Sequence, residues 1–251
     1  MLIDFMLPVY NRLEYTKMSI PSILANKFDF RLTVINDGST EPGIKEYLRK
    51  VANRDKRVNL IENERNLGLS TNTNRFWSKI AKAEFVGKFD NDAIIPPNCV
   101  ESLYKFITKA DKVGIVGSFP FPKTWGKRWT LSDMGGGMQG VAVKFIGGIG
   151  YIMRKKLTEL YPIPKEGTKM WGWTNWQRRV SNKHKVIIAY AYPLIPIIHL
   201  CWLRRDMEEK LYQSYNGWSQ SHRPKNRAKQ AKIIYEKGRL KLVQKGGVIT
   251  L

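Results

Sequence analysis

The sequence predicts an α/β fold, with a mostly parallel open sheet flanked by helices and an irregular, basic second half. Two observations lead to this prediction. Strand-like and helix-like segments alternate as far as Ser118, a pattern typical of parallel strands joined by crossover helices. Beyond that point Gly, Pro, Trp and Lys are mixed without regular alternation.

The alternating segments predict where ligands bind. The predicted strands are Leu2–Leu7, Arg31–Ile35, Val58–Glu62, Glu84–Phe89 and Val113–Ser118. The predicted helices are Glu14–Ala25, which Pro21 could kink, Ile44–Ala52, Leu69–Ala81 and Asn98–Lys109. Polar turns follow the first four strands, at Val9–Arg12, Asn36–Thr40, Asn63–Gly68 and Asp90–Asp92. Because the carboxyl ends of parallel strands share one edge, these turns should converge on one crevice.

Composition excludes several classes of protein. The 251 residues are 43% hydrophobic and 12% aromatic, so the chain can bury a core and is not disordered. Cys99 and Cys201 have no metal-ligand spacing, which favours free thiols and a cytoplasmic location. Residues 1–8 are typical of a strand rather than of a signal peptide.

One apolar stretch, Val186–Leu203, raises the question of a membrane span. A spanning helix needs about 20 mostly apolar residues, and this stretch contains Pro193 and Pro196. We therefore expect buried strands joined by a bend, and no transmembrane segment.

Positive charge is concentrated in the second half of the chain. The formal net charge is +22, of which residues 1–100 carry +3 and residues 101–251 carry +19. This asymmetry indicates a polyanionic partner. We divide the chain into a first half of regularly alternating segments (1–112), an irregular half of the same domain (113–203) and a basic, helical tail (204–251). Arg223–Lys237 is the segment of this tail with helical composition.

The strongest chemical motif is Asp90-Asn91-Asp92, directly after the apolar strand Phe85–Phe89. Two carboxylates one residue apart at a strand end favour a cation, and Mg²⁺ or Mn²⁺ bridges such carboxylates to diphosphates. The alternative is that an aspartate at the start of a helix over Ala93–Leu103 acts as its N-cap.

Four segments together resemble the family-2 glycosyltransferases, which have the GT-A fold. They are Leu7-Pro8-Val9-Tyr10-Asn11-Arg12, Ile35-Asn36-Asp37-Gly38-Ser39-Thr40, Asn66-Leu67-Gly68 with Asn74, and Phe89-Asp90-Asn91-Asp92. Their order and spacing match the family over about 90 residues. The resemblance implies a nucleotide-sugar donor, usually a UDP-sugar, and transfer of a hexose or pentose with inversion. Residues 1–112 would be the nucleotide-sugar-binding half, and residues 113–203 the acceptor and catalytic half.

The resemblance also implies roles for individual residues. Pro8, Tyr10, Asn11 and Arg12 would line the nucleoside pocket, and Asp37 would hydrogen-bond the base unless it only forms a turn. Other donor-pocket residues would be Gly68, Asn74, Asp90, Asn91 and Gly148. Asp90 and Asp92 would ligate the metal, with His199 as a third ligand unless it is a core residue. Gly148 belongs to the cluster Gly147–Gly150, which could instead form a bulge or pack tightly.

The sequence departs from the family at the catalytic base. Inverting members carry an acidic pair where this chain has Thr174 and Asn175. The substitute candidate is Asp133, in the loop Ser132–Gly137, although its carboxylate could simply cap that turn.

Three hypotheses remain for the acceptor side. Basic residues interleaved with tryptophans, at Trp125–Trp129 and Trp171–Arg179, favour nucleic acid. The acceptor would then be a hydroxymethylated pyrimidine of viral (phage) DNA. An anionic membrane surface carrying a glycolipid or surface polysaccharide is the alternative, with peripheral attachment. The third hypothesis is an inactive binding module.

Overall fold

The computed structural model describes residues 1–121, 130–166 and 170–200, and the backbone of three strands between residues 232 and 250. The helices are α1 (Leu13–Leu24), α2 (Ile44–Arg54), α3 (Leu69–Arg75), α4 (Cys99–Lys109) and α5 (Trp173–His184). The strands are β1 (Ile3–Val9), β2 (Phe30–Asp37), β3 (Val58–Asn63), β4 (Phe85–Phe89), β5 (Ala93–Ile94), β6 (Val113–Gly117), β7 (Phe119–Phe121), β8 (Ser132–Asp133), β9 (Gln139–Ala142), β10 (Gly150–Arg154), β11 (Lys165–Glu166), β12 (Met170–Trp171), β13 (Ile187–Ala191), β14 (Pro196–His199), β15 (Lys232–Glu236), β16 (Arg239–Gln244) and β17 (Gly247–Thr250).

A nine-stranded sheet organises the described part of the chain. Its strand order is β3-β2-β1-β4-β10-β6-β13-β9-β8. β9 and β10 run against the other seven strands, so the sheet is mostly parallel. The predicted fold class is confirmed. The sheet includes strands from both 1–112 and 113–203, which places the two halves in one continuous layer.

Successive side chains of each strand point to opposite faces of this sheet. Both faces therefore carry apolar side chains, and helices cover both. In β4, Phe85 and Phe89 pack with residues of α1, α2 and α4. Val86 points the other way, into a cluster that includes Trp77, Trp173 and other aromatic residues beside α5. Two hydrophobic layers therefore hold the sheet between them.

A small second sheet, in the order β5-β14-β7, lies beyond the end of β4. β14 pairs antiparallel with β5, so that His199 lies opposite Ala93. The apolar stretch 186–203 thus contains two strands, β13 and β14, as the prolines predicted. None of the helices in the described ranges is both long enough and apolar enough to cross a membrane.

Two predictions of local structure were wrong. The Gly-, Pro-, Trp- and Lys-rich composition of residues 120–140 predicts an extended loop, but this stretch contains β8 and the start of β9. The turn between these strands has three glycines with positive φ, at Gly135–Gly137. The segment Arg223–Lys237, expected to be helical, includes β15, which pairs with β16 in a three-stranded antiparallel sheet. Consecutive β-branched and aromatic residues in β15 and alternating leucines in β16 favour strands.

Candidate active site

Four polar turns meet at the carboxyl edge of the large sheet, because β3, β2, β1 and β4 are parallel neighbours. Hydrogen bonds join the turn after β1 to the turn after β2. The Asn11 side-chain oxygen accepts from the amides of Thr40 (2.9 Å) and Glu41 (3.0 Å), and the Asn11 amide donates to Ser39 Oγ (2.9 Å). Asn11 therefore links the turns after β1 and β2, which form two sides of the crevice.

The turn after β1 has an unusual backbone. Asn11 and Arg12 both have positive φ, 54° and 66°, which costs energy for residues with a side chain. Arg12 Nη1 donates to Asp92 Oδ2 at 2.6 Å. The sequence placed Arg12 at the nucleoside. The structure instead brings its guanidinium to one of the paired carboxylates.

A cluster suited to a metal ion lies at the end of β4. One ligand atom from each of Asp90, Asp92 and His199 can be chosen so that all lie within 4.8 Å of one another. The pairing of β14 with β5 brings His199 close to the two aspartates. The Leu200 amide also donates to the Asp92 carbonyl at 2.8 Å. Two carboxylates and an imidazole fit Mn²⁺, which accepts nitrogen ligands more readily than Mg²⁺ does.

A buried lysine, which the sequence analysis did not single out, completes this cluster. The Lys88 ammonium contacts the Asp90 carboxylate and donates to the Gly148 carbonyl at 2.7 Å. The sequence contains a pattern that points to this lysine. Lys88 is the one charged residue of an otherwise apolar strand, and its position two residues before Asp90 favours the same face of the strand. Burial and the nearby charge of Asp90 both raise the pKa of the Tyr151 hydroxyl.

Asp37 is buried at the end of β2 and holds the turn after β3 in place. Its Oδ1 accepts from Asn63 Nδ2 (2.9 Å) and from the Leu67 amide (2.8 Å), and its Oδ2 accepts from the Gly68 amide (3.0 Å). A carboxylate can accept about four hydrogen bonds, so Oδ2 has capacity for a further donor. The turn-forming alternative and the pocket role are thus compatible.

Two predicted donor-pocket residues have structural partners instead. The Asn91 side chain is buried and donates to Thr16 Oγ1 (3.0 Å) and to the Asn11 carbonyl (3.3 Å). Both side-chain atoms of Asn74 bond the backbone of Ile163, at 2.9 and 2.8 Å. These contacts turn both amides toward the protein, so we no longer assign them to the donor.

The remaining predicted pocket residues lie along the same edge. Pro8 is half-buried near the end of β1, opposite Ile35, and Tyr10 follows it, also half-buried. Gly68 precedes α3 with a φ of 83°. The Gly148 carbonyl faces Lys88. In the same glycine cluster, a Cβ on Gly150 would meet Ile197 at 2.4 Å, which supports tight packing there.

Asp133 does not lie near this cluster. It ends β8, the outermost strand, and its carboxylate pairs with Lys112 at 2.6 Å. Lys112 immediately precedes β6, and β8 is the fifth strand beyond β4 in the order of the sheet, so the pair is remote from Asp90. Hydrogen bonds from Lys112 and the Gly135 amide lower the pKa of Asp133. This position argues against Asp133 as the catalytic base and supports the turn-capping alternative.

The tryptophans of α5 belong to the core. Trp173 and Trp176 are 2% and 1% exposed, and their indole nitrogens donate to the carbonyls of Ile146 (3.1 Å) and Tyr161 (2.8 Å). They cannot stack on nucleic-acid bases. The first turn of α5, where the family resemblance places an acidic pair, contains no acidic residue. Trp125, Lys127, Arg128 and Trp129 lie outside the described residues.

The fold is of the GT-A type, and sequence comparison identifies the family. A model of glycosyl transferase family 2 matches residues 4–190, so the chain belongs to that family.

Curated relatives match about half of this chain. An uncharacterised glycosyltransferase of Haemophilus influenzae is 31% identical over 123 residues, covering 47% of this chain and 36% of the relative. The minor teichoic acid biosynthesis protein GgaA of Bacillus subtilis is 29% identical over 123 residues, covering 45% and 26%. The chain thus spans well under two thirds of these relatives.

Solved structures share the fold at low sequence identity. The mannosyltransferase PcManGT from Pyrobaculum calidifontis, in complex with GDP-Man and Mn²⁺, has a TM-score of 0.65 and 16% identity, covering 83% of this chain and 59% of that chain. S. aureus TarS 1-349, in complex with UDP-GlcNAc, has a TM-score of 0.60 and 15% identity, covering 80% and 61%.

Proposed function

We propose that the protein transfers a sugar from a nucleotide-sugar donor, with Mn²⁺ as the metal ion, to a hydroxyl group of an acceptor. The observation that carries this proposal is the convergence of Asp90, Asp92 and His199 at the carboxyl edge of the sheet. The turns after β1, β2 and β3 lie along the same edge, where a nucleotide can bind beside the metal ion.

Each residue of the crevice has a proposed part in donor binding. Asp90, Asp92 and His199 would hold the Mn²⁺ ion, which neutralises charge on the leaving diphosphate when bound. The free capacity of Asp37 Oδ2 suits an N–H of the base, and a uracil base is our proposal. Pro8 and Tyr10 would pack against the nucleoside, and Gly68 lets the backbone pass close to it.

We propose that the acceptor is a glycan polymer that carries phosphate groups. The support is the net charge of +19 in residues 101–251, together with the similarity to GgaA, whose name describes teichoic acid biosynthesis. A polymer with a phosphate in each repeat would meet the basic half of the chain through many weak charge contacts.

Hydroxymethylated DNA is the second candidate acceptor, because the same positive charge suits any polyanion. The burial of Trp173 and Trp176 removes part of the stacking surface on which this candidate relied. An anionic membrane carrying a glycolipid is the third, and the charge asymmetry supports it equally.

The donor site is tested by changing Asp92 to Asn, which removes one negative charge with little change of shape. We expect the affinity for UDP in the presence of Mn²⁺ to fall by at least about tenfold, which corresponds to about 1.4 kcal/mol. Isothermal titration calorimetry measures this affinity, and hydrolysis of UDP-sugars gives a second readout.

The matched control is Asp133→Asn, the same chemical change on the outermost strand of the sheet. It should bind Mn²⁺ and UDP as the unaltered protein does. If Asp92→Asn keeps full Mn²⁺-dependent binding of UDP, GDP and their sugars, the metal assignment is wrong and the proposed function loses its main support.

A further inference from the structure

Lys88 is a charged residue in the centre of the sheet. β4 lies between β1 and β10, and the neighbours of Lys88 across the sheet are Met6 and Tyr151. Both neighbours are buried in the hydrophobic layer beside α5, and Lys88 is 1% exposed. A buried ammonium group is costly unless it is paired and hydrogen-bonded, so its partners reveal why it is there.

The partners of Lys88 connect two parts of the donor site. Its ammonium contacts the carboxylate of Asp90, and it also donates to the carbonyl of Gly148 at 2.7 Å. The carboxylate belongs to the metal cluster, and the carbonyl belongs to the glycine segment that leads into β10. The buried ammonium group of Lys88 thus joins the turn after β4 to the glycine segment.

The cluster contains as many positive as negative charges. Lys88 contacts Asp90, and Arg12 contacts Asp92. A divalent cation and the diphosphate of a nucleotide sugar, which carries one charge on each phosphate, also cancel each other. The site can therefore accept the metal ion and the donor together without a change in its net charge, whereas either ligand alone leaves a charge unbalanced.

We propose that Lys88 is a positioning residue that couples the binding of the metal ion to the binding of the donor. Its fixed charge holds the Asp90 carboxylate, opposes a cation that arrives alone and attracts the diphosphate. This inference rests on the proposed function, because it assumes that the cluster binds a metal ion and a nucleotide sugar.

The test is the substitution Lys88→Met, which keeps the length and apolar stem of the side chain and removes its charge. We expect Mn²⁺ alone to bind about tenfold more tightly, and UDP in the presence of EDTA to bind about tenfold more weakly. Calorimetry measures both affinities without any need for catalysis. Lys88→Gln removes the charge and keeps a donor for the Gly148 carbonyl, so it should shift both affinities in the same directions.

The control is Lys112→Met, which removes a lysine and its ion pair with Asp133, remote from Asp90. Neither affinity should change in this variant. Lys88→Met leaves the Asp90 carboxylate without its partner, so the melting temperature should fall. The affinities are therefore measured at a temperature at which circular dichroism shows both Lys88 variants to be folded.

Two results would overturn the inference. One is a loss of Mn²⁺ and UDP affinity together in both Lys88 variants, which would mean that the lysine only supports the fold. The other is no change in either affinity. A failure of the unaltered protein to bind Mn²⁺ would instead remove the proposed function and this inference with it, so the two failures are distinguishable.

Discussion

At the scale of single residues, most of the hydrogen bonds that the Asp37 carboxylate can accept come from the protein itself. Two backbone amides and one side-chain amide donate to it, and its exposure is 4%. These bonds hold the turn before α3 in a fixed position beside the crevice. A role in binding the base and a role in building the pocket therefore depend on the same carboxylate.

We predict that Asp37→Asn destabilises the protein, because the new NH₂ group faces a donor where an acceptor oxygen was. The free energy of unfolding should fall by about 2 kcal/mol, the usual cost of a buried polar group left unsatisfied. Urea denaturation measures this change. Asp133→Asn is the control, since that carboxylate is exposed, and its loss should leave the urea midpoint nearly unchanged. Equal effects of the two changes would contradict the prediction.

At the scale of the elements, the crevice depends on how closely the turns after β2 and β3 approach each other. Gly38 has a φ of 69°, and a Cβ there would lie 2.4 Å from the backbone carbon of Arg65. Gly137 has a similar φ of 73°, but no atom lies within 4 Å of the position of its Cβ. The two glycines share a backbone conformation and differ in their surroundings.

We therefore predict different costs for the same substitution. Gly137→Ala should lower the free energy of unfolding by about 1 kcal/mol, the cost of the left-handed conformation alone. Gly38→Ala should cost about 3 kcal/mol, because one turn must also move away from the other, and it should weaken UDP binding. Thermal or urea unfolding of the two variants, side by side, tests this. Equal costs would show that the turns can separate freely.

At the scale of the whole molecule, the positive charge of the chain lies mostly in its second part. Residues 1–100, which include the four polar turns, have a net charge of +3, whereas residues 101–251 carry +19. The buried tryptophans of α5 show that aromatic residues near these charges are not by themselves a binding surface. Charge, rather than base stacking, is therefore the basis of our acceptor proposal.

We predict that binding to a sugar-containing teichoic acid, with a phosphate in each repeat, weakens steeply with salt. The affinity should fall by about tenfold or more between about 50 and about 200 mM NaCl, and a neutral dextran should not bind. Hydroxymethylated duplex DNA and anionic vesicles are compared in the same titration. Transfer of labelled sugar from UDP-sugars then identifies the acceptor. Transfer to DNA alone, or to vesicle-bound glycolipid alone, would contradict the proposed acceptor.

The sequence predicted much of the donor side. The five strands and four helices predicted in the first 118 residues occur in the predicted order, because hydrophobic periodicity is a local property. The two-residue strand β5 was not predicted. Helix ends were less well predicted. The expected helix Leu69–Ala81 is α3 followed by a π-helical turn, Phe76–Ile80, and α1 passes through Pro21 to end at Leu24.

By itself, the sequence determined the fold class and the edge of the sheet at which the site lies. Parallel strands with short polar turns allow no other arrangement of their carboxyl ends, so local patterns suffice for these conclusions.

Tertiary structure alone decided which side chains meet. His199 reaches Asp92 through the pairing of β14 with β5, Lys88 proves to be buried, and Asp133 pairs with Lys112 on the outermost strand. These outcomes depend on contacts between residues far apart in the chain. Such contacts follow from packing and strand pairing, which no local pattern of residues contains.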